Sequence, residues 1–148
     1  MIHLDTHAVV WLYAGLQERF PAVARTMLET EALGISPMVV LELQYLFEIG
    51  KVAEPAAPVI ADLKDKLGLE VSASPFPEVV MRATALSWTH DPFDRMIAAQ
   101  SLAEGAPLLT ADRTLRRRLP TAFWDRPAAK GPPGTTPRAR SGRRGARP

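Results

Sequence analysis

Short continuous apolar runs alternate along this chain with longer stretches in which apolar residues recur every three or four positions. The short runs are Met1–Asp5, Leu33–Ser36, Leu69–Ser72, Pro107–Thr110 and Ala122–Trp124, and each has the length of a strand. The longer stretches predict helices. The first runs to about Tyr13 and stops at Gly15, and a second covers roughly Pro21 to Glu31. A third opens at Ser36-Pro37, a cap residue followed by Pro at the first helical position, and ends near Ile49 before Gly50. Pro58–Leu67 is closed by Gly68, Pro77–Trp88 follows, Asp91-Pro92 opens a helix ending at Gly105, and Asp112–Leu119 is the last. There is no internal repeat. Strands alternating with helices are the signal of βαβ units, so the expected class is α/β: four or five mainly parallel strands flanked by helices.

The bulk numbers narrow this without changing it. A chain of 148 residues, 47% apolar, suits one domain. The absence of Cys excludes disulfides, zinc–thiolate sites and cysteine catalysis. No apolar stretch approaches the ~18 residues of a membrane span, and Met1–Asp5 lacks the basic region of a secretory signal. A soluble, cytoplasmic protein with no membrane partner is expected.

Charge divides the chain in two. Residues 126–148 carry 7 Lys and Arg and no acid, whereas residues 1–125 hold 11 Lys and Arg against all 16 acids. The domain is therefore expected at 1–125 and a basic tail at 126–148. With five Pro, four Gly, and no aromatic residue, Ile, Leu or Val, the tail cannot bury enough apolar surface to offset its ordering entropy, and disorder is expected. Its charge would add non-specific attraction to RNA or DNA. The lack of aromatic residues for stacking favours a plain solvated extension.

The candidate chemistry lies in where the acids fall. Asp5 ends the first strand, Asp112 follows Leu108–Ala111, and Asp91 and Asp94 open a helix. Glu42 is read on the core-facing side of its helix with Met38, Val39, Leu46 and Ile49, opposite Gln44 and Glu48. A carboxylate there costs several kcal/mol unless paired or metal-bound. Ligands of open α/β sheets bind beyond the carboxyl ends of the strands, where Asp5 and Asp112 belong. Each acid has a local alternative: Asp5, Asp91 and Asp112 all stand where a helix cap is wanted, and Asp94 in a first turn is favoured by the helix dipole. Together they read as one cluster. Two like charges ~4 Å apart cost about 4 kcal/mol at an effective dielectric of 20, a large share of a stability of ~5–15 kcal/mol. A cation offsets that cost, and an all-oxygen donor set selects Mg²⁺ or Mn²⁺.

Other residues weigh less. His3 reads as structural, His7 lacks a partner at ligand spacing, and His90, which precedes Asp91, is a minor candidate for a substrate phosphate contact. Arg113, Arg116, Arg117 and Arg118 either form a solvated helix face or contact phosphates. Ser36 and Thr110 lie at strand ends, but no Ser-His-Asp arrangement and no Gly-rich phosphate loop is present. A phosphoacceptor receiver domain would need a Lys after a late strand, and none follows Leu109-Thr110.

His3-Leu4-Asp5-Thr6-His7-Ala8, Ile35-Ser36 with Glu42, Asp91-Pro92-Phe93-Asp94-Arg95 and Leu109-Thr110-Ala111-Asp112 resemble the PIN-domain family, in particular the VapC-type toxins of toxin–antitoxin modules. The resemblance covers roughly residues 1–125. It implies a Rossmann-like α/β/α sandwich and a Mg²⁺- or Mn²⁺-dependent ribonuclease. The family's four acids match Asp5, Glu42, Asp94 and Asp112, with Asp91 as a supporting carboxylate. A small cognate antitoxin and a homodimer are implied as partners beside the RNA substrate. Pro37-Met38-Val39-Val40-Leu41 and the basic tail depart from the family pattern. A metal-dependent DNA nuclease, a phosphatase, or a catalytically silent nucleic-acid-binding module of the same fold are the alternatives.

Overall fold

The computed structural model describes residues 1–128. Five parallel strands form one sheet: β1 (Ile2–Leu4), β2 (Leu33–Ile35), β3 (Glu70–Val71), β4 (Leu108–Leu109) and β5 (Ala122–Phe123), in the order β3-β2-β1-β4-β5. Among the described residues, seven helices connect and cover them: α1 (Thr6–Tyr13), α2 (Ala22–Thr30), α3 (Pro37–Glu48), α4 (Ala56–Leu67), α5 (Phe76–Thr84), α6 (Pro92–Glu104) and α7 (Arg113–Arg118). Beyond residue 128 the tail lies outside the described residues, and with it most of the disorder expected for 126–148.

From β1 the chain builds outward through β2 to β3, then returns to the other side of β1 for β4 and β5. The direction of winding therefore reverses between β1 and β4, which pair His3 with Leu108 and Leu4 with Leu109. A crevice opens at such a reversal, beyond the carboxyl ends of the strands. Ile2, His3 and Leu4 are all buried. Since alternate side chains point to opposite faces, both faces of the central strand are covered, as an α/β/α sandwich requires. Leu4, Ile35, Leu108, Leu109, Val9, Val39 and Leu43 form the centre of the core.

Most expected elements stand within a residue or two of their predicted limits. The helix expected from Pro58 starts at Ala56, so Pro58 sits in its first turn, where a missing N–H costs no helical bond. The helix expected over Pro77–Trp88 ends at Thr84, where the N–H of Ala85 turns back to the carbonyls of Arg82 and Ala83. Leu86 and Trp88 instead pack onto the core from the following loop, which is why an apolar pattern continued past the helix end. A short 3-10 turn at Gln17–Arg19 was not expected. It places Arg19 over the Trp11 ring at 5.2 Å and leads into buried Phe20, which meets Trp11 and Trp124 at 6.0 and 5.3 Å.

A buried polar group spans the sheet and α6. The His3 imidazole Nε2 lies 2.8 Å from Glu104, whose carboxylate also accepts from Ser72, from Ser74 at 2.7 Å and from Gln100 at 2.8 Å. Gly34 makes room for this ring, since a Cβ there would stand 3.3 Å from His3 Nε2. His3 is structural, as expected.

Candidate active site

Asp5 follows β1 and caps α1. Its Oδ1 accepts the N–H of Ala8 at 2.8 Å, while Oδ2 accepts a short bond from the Thr110 hydroxyl. Capping and clustering are thus not alternatives here, because one carboxylate oxygen does each. Thr110 follows β4, and its hydroxyl oxygen also accepts the N–H of Asp112 at 3.0 Å. Asp112 in turn caps α7 through Oδ1 and the N–H of Leu115 at 2.8 Å. A single hydroxyl therefore ties together the residues leaving β1 and β4 at the reversal point.

Glu42 and Asp94 approach from helices. The hydroxyl of Thr6, the residue after Asp5, donates a short bond to Glu42. Tyr45, one turn beyond Glu42 on α3, stacks on Phe93, which precedes Asp94 on α6, with ring centroids 5.9 Å apart and planes inclined by 25°. This contact joins the two helices beside their acids. Asp91 caps α6, its Oδ1 accepting from Phe93 at 2.8 Å and Asp94 at 3.2 Å. Asp5 is buried, Glu42 and Asp94 are half-buried, and Asp91 and Asp112 are exposed.

Electrostatics bind the five acids into one unit. Burial pushes Asp94 up to about 7, and repulsion from Asp91, Asp112, Glu42 and Asp5 adds to the rise. Asp5 is raised by burial, with Asp112 adding to the shift while Thr110, Ala8 and the charge of His7 oppose it. Glu42 is raised by burial, opposed by Thr6 and His7 and reinforced by Asp91 and Asp5. These are the shifts of carboxylates crowded together and partly removed from water. Among the described residues, no three His, Asp or Glu side chains stand close enough together to hold a metal ion as they are placed. The all-oxygen set suits a hard ion that keeps several of its own waters.

The model of the PIN domain matches residues 2–118. The chain belongs to the PIN-domain family. It is similar to Ribonuclease VapC22 of Mycobacterium tuberculosis, 30% identical over 126 residues that span 82% of this chain and 96% of that protein. Its fold is also that of VapBC2 from Rickettsia felis, solved bound to a DNA fragment from the promoter. That likeness has a TM-score of 0.59 at 24% identity and covers 84% of this chain and 100% of that one.

Within this PIN domain the sequence reading needs two corrections. Glu42 does not lie on the fully core-facing stripe of α3. Val39 and Leu43 form that stripe, Glu42 flanks it half-buried, and Ile49, expected beside it, is 47% exposed. Gln44, expected on the wet face, is half-buried and accepts the N–H of Ala56. Of the four arginines read either as a solvated helix face or as phosphate contacts, Arg116 is half-buried. It reaches Asp125 at 3.3 Å and the Ala111 carbonyl at 3.4 Å, while its Nε is buried. Arg113, Arg117 and Arg118 are exposed, as is His90.

Three supporting residues escaped the sequence reading. The hydroxyls of Thr6 and Thr110 hold Glu42 and Asp5, and neither contact has a local signature, since the partners lie 36 and 105 residues apart. Arg95 donates from Nε to the Thr89 carbonyl at 2.6 Å, fastening the loop that presents Asp91. Its place in Asp91-Pro92-Phe93-Asp94-Arg95 was the available signal.

Proposed function

We propose that this PIN domain is a divalent-metal-dependent endoribonuclease in which Asp5, Glu42, Asp94 and Asp112 hold Mg²⁺ or Mn²⁺, with Asp91 in support. The observation that carries this is the convergence of acids from four separate parts of the chain at the reversal of the sheet, where Asp5, Glu42, Asp91 and Asp112 all raise the carboxyl pKa of Asp94. Kinship with a protein named as a ribonuclease supports RNA as the substrate. A small antitoxin protein and a second copy of the chain are carried over as partners on the family resemblance.

A divalent ion held there would supply stabilisation for the charge that builds on the scissile phosphate and an activated water. The chain's own groups prepare the site. Thr110 fixes the Asp5 carboxylate, which is anchored through both oxygens, and Thr6 fixes Glu42. The Asp94 carboxyl, pushed up to about 7, is only partly ionised near neutral pH in the metal-free chain and would give up its remaining proton to hold an ion, so binding would be pH-dependent. Arg113, Arg117 and Arg118, exposed after Asp112, would supply contacts to the RNA backbone.

The test compares RNA, single-stranded DNA and a small phosphomonoester under identical Mg²⁺ or Mn²⁺. Turnover of RNA alone is expected. Turnover of DNA or of the small ester instead of RNA overturns the substrate assignment.

A further inference from the structure

A cavity of about 280 Å³ opens beside the acids, lined by Trp88, Thr114, Arg117 and Arg118. It lies just under the ~300 Å³ at which pockets for drug-sized ligands begin, so it suits one planar ring with its phosphates rather than a larger molecule. Both of its walls lead out of the acid site. Trp88 stands on the loop that runs into Asp91, the cap of α6, and the other three residues belong to α7, which Asp112 caps. With a rise of 1.5 Å per residue, Arg117 lies about 8 Å along the helix axis from Asp112. That is roughly two steps of a stacked nucleic-acid strand at ~3.4 Å each.

The wall on α7 is cationic and uncommitted. Thr114, Arg117 and Arg118 stand at i, i+3 and i+4 on one helix face, and all three are exposed. The ion pair of α7 is made by Arg116, to Asp125, and among the described residues Arg117 and Arg118 make none. The facing wall is an aromatic ring held in place. Half-buried Trp88 packs against the core and lines the cavity as well. Its loop is braced at the next residue, where the Thr89 carbonyl accepts from Arg95 at 2.6 Å and the Thr89 hydroxyl accepts the N–H of Asp91 at 3.2 Å. The other two tryptophans are engaged with each other, and Trp11 also carries Arg19 over its ring. Among the described residues no ring stacks on Trp88. A fixed aromatic ring facing unpaired guanidinium groups across an open cavity is equipment for an unpaired base and its phosphates.

Resting on the ribonuclease reading above, we infer that this cavity is a nucleotide subsite for single-stranded RNA next to the scissile phosphate, in which a base stacks on Trp88 while Arg117 and Arg118 hold the phosphates flanking it. The subsite puts binding energy outside the acids, so it acts on KM and on where along the strand the cut falls. Every base has a face to stack, so it selects unpaired over paired RNA more than one base over another.

Affinity is measured on the full chain in EDTA, where binding is read without turnover. The probes are a fluorescent adenosine 12-mer and a ribose-phosphate 12-mer that lacks bases. Trp88→Leu, which keeps an apolar packing group, is expected to bind the adenosine strand about five- to a hundredfold more weakly, the range of one lost stack, and the baseless strand as the parent does. Trp88→Phe keeps a ring and recovers most of the affinity. Arg117→Gln with Arg118→Gln weakens binding of both strands and makes the slope of log K against log salt shallower by about 1.4, as two lost phosphate contacts require. In Mg²⁺, Trp88→Leu raises KM on RNA while kcat is kept. The stack is overturned if Trp88→Leu binds the adenosine strand like the parent, if the Leu and Phe variants lose equally, or if the baseless strand loses as much. A parental salt slope in the arginine variant overturns the phosphate contacts and leaves that helix face to solvent or to an acidic protein partner. If the parent cuts no RNA but the affinity differences persist, the ribonuclease reading fails and the nucleotide subsite stands.

Discussion

The Thr110 hydroxyl donates to Asp5 across the boundary between β4 and β1, and the same oxygen accepts the backbone N–H of Asp112 at 3.0 Å. Asp5 is buried and Thr110 fully so, so this bond is shielded from water and sets the direction of a carboxylate at the centre of the cluster.

Thr110→Val keeps the shape and removes the donor. Leaving a buried carboxylate short of a partner costs roughly 1–3 kcal/mol, and a loosened Asp5 is expected to lower RNA cleavage by about ten- to a hundredfold. Thr110→Ser restores the hydroxyl and should recover most of the activity. Thermal melting and single-turnover cleavage of the two variants check this; equal loss in both would assign the effect to packing.

Asp94 gives a prediction in pH. Its pKa is about 7 in the folded chain against an ordinary carboxylate value near 4 unfolded. Between those values the folded state holds a proton that the unfolded state has lost, so stability of the metal-free protein falls as pH rises from 4 to 7. The melting temperature in EDTA should decrease over that window and level off above it. Asp94→Asn should flatten this dependence and raise the metal-free melting temperature at pH 8, while abolishing cleavage. A variant no more stable than the parent at pH 8 in EDTA would show that Asp94 carries no such repulsion.

Glu104 predicts the opposite slope. Burial raises its carboxyl, but bonds from Ser72, Ser74, His3 and Gln100 outweigh burial and hold it down to about 2. A group whose folded pKa is depressed contributes stability above its unfolded value, near 4.5, and loses it as pH falls toward 2. Glu104→Gln should lower the melting temperature at pH 6 and narrow the gap from the parent at pH 2.5. A constant gap across that range would mean that the charge on Glu104 is not what the network uses.

The stack of Tyr45 on Phe93 holds α3 against α6 beside Glu42 and Asp94. Phe93→Ala removes this contact, worth about 0.5–1.5 kcal/mol beyond area burial. It should weaken Mg²⁺ binding measured by calorimetry, with Phe93→Tyr close to the parent. Unchanged Mg²⁺ affinity in Phe93→Ala would remove the stack from the account of the site.

What was legible in the sequence was local. Caps at Ser36, Asp91 and Asp112, Gly68 and Gly105 in left-handed conformation after their helices, and short apolar runs marked the elements. The acids were legible because strand ends and helix starts adjoin in a parallel α/β chain. The burial of Glu42 was misread because α3 exposes an apolar stripe, Leu41, Tyr45 and Ile49, which makes the core side ambiguous from periodicity alone. The hydroxyls of Thr6 and Thr110 and the pairing of His3 with Glu104 depend on residues far apart in the chain, so no local pattern carried them.

The most direct test of the central claim is end-mapping of total RNA incubated with the purified protein, in Mg²⁺, in EDTA, and with Asp5→Asn or Asp94→Asn. Discrete new ends that require both the divalent ion and the two acids are the predicted result. Cleavage that persists in EDTA, or in an Asp5→Asn protein freed of contaminating nuclease, would contradict it.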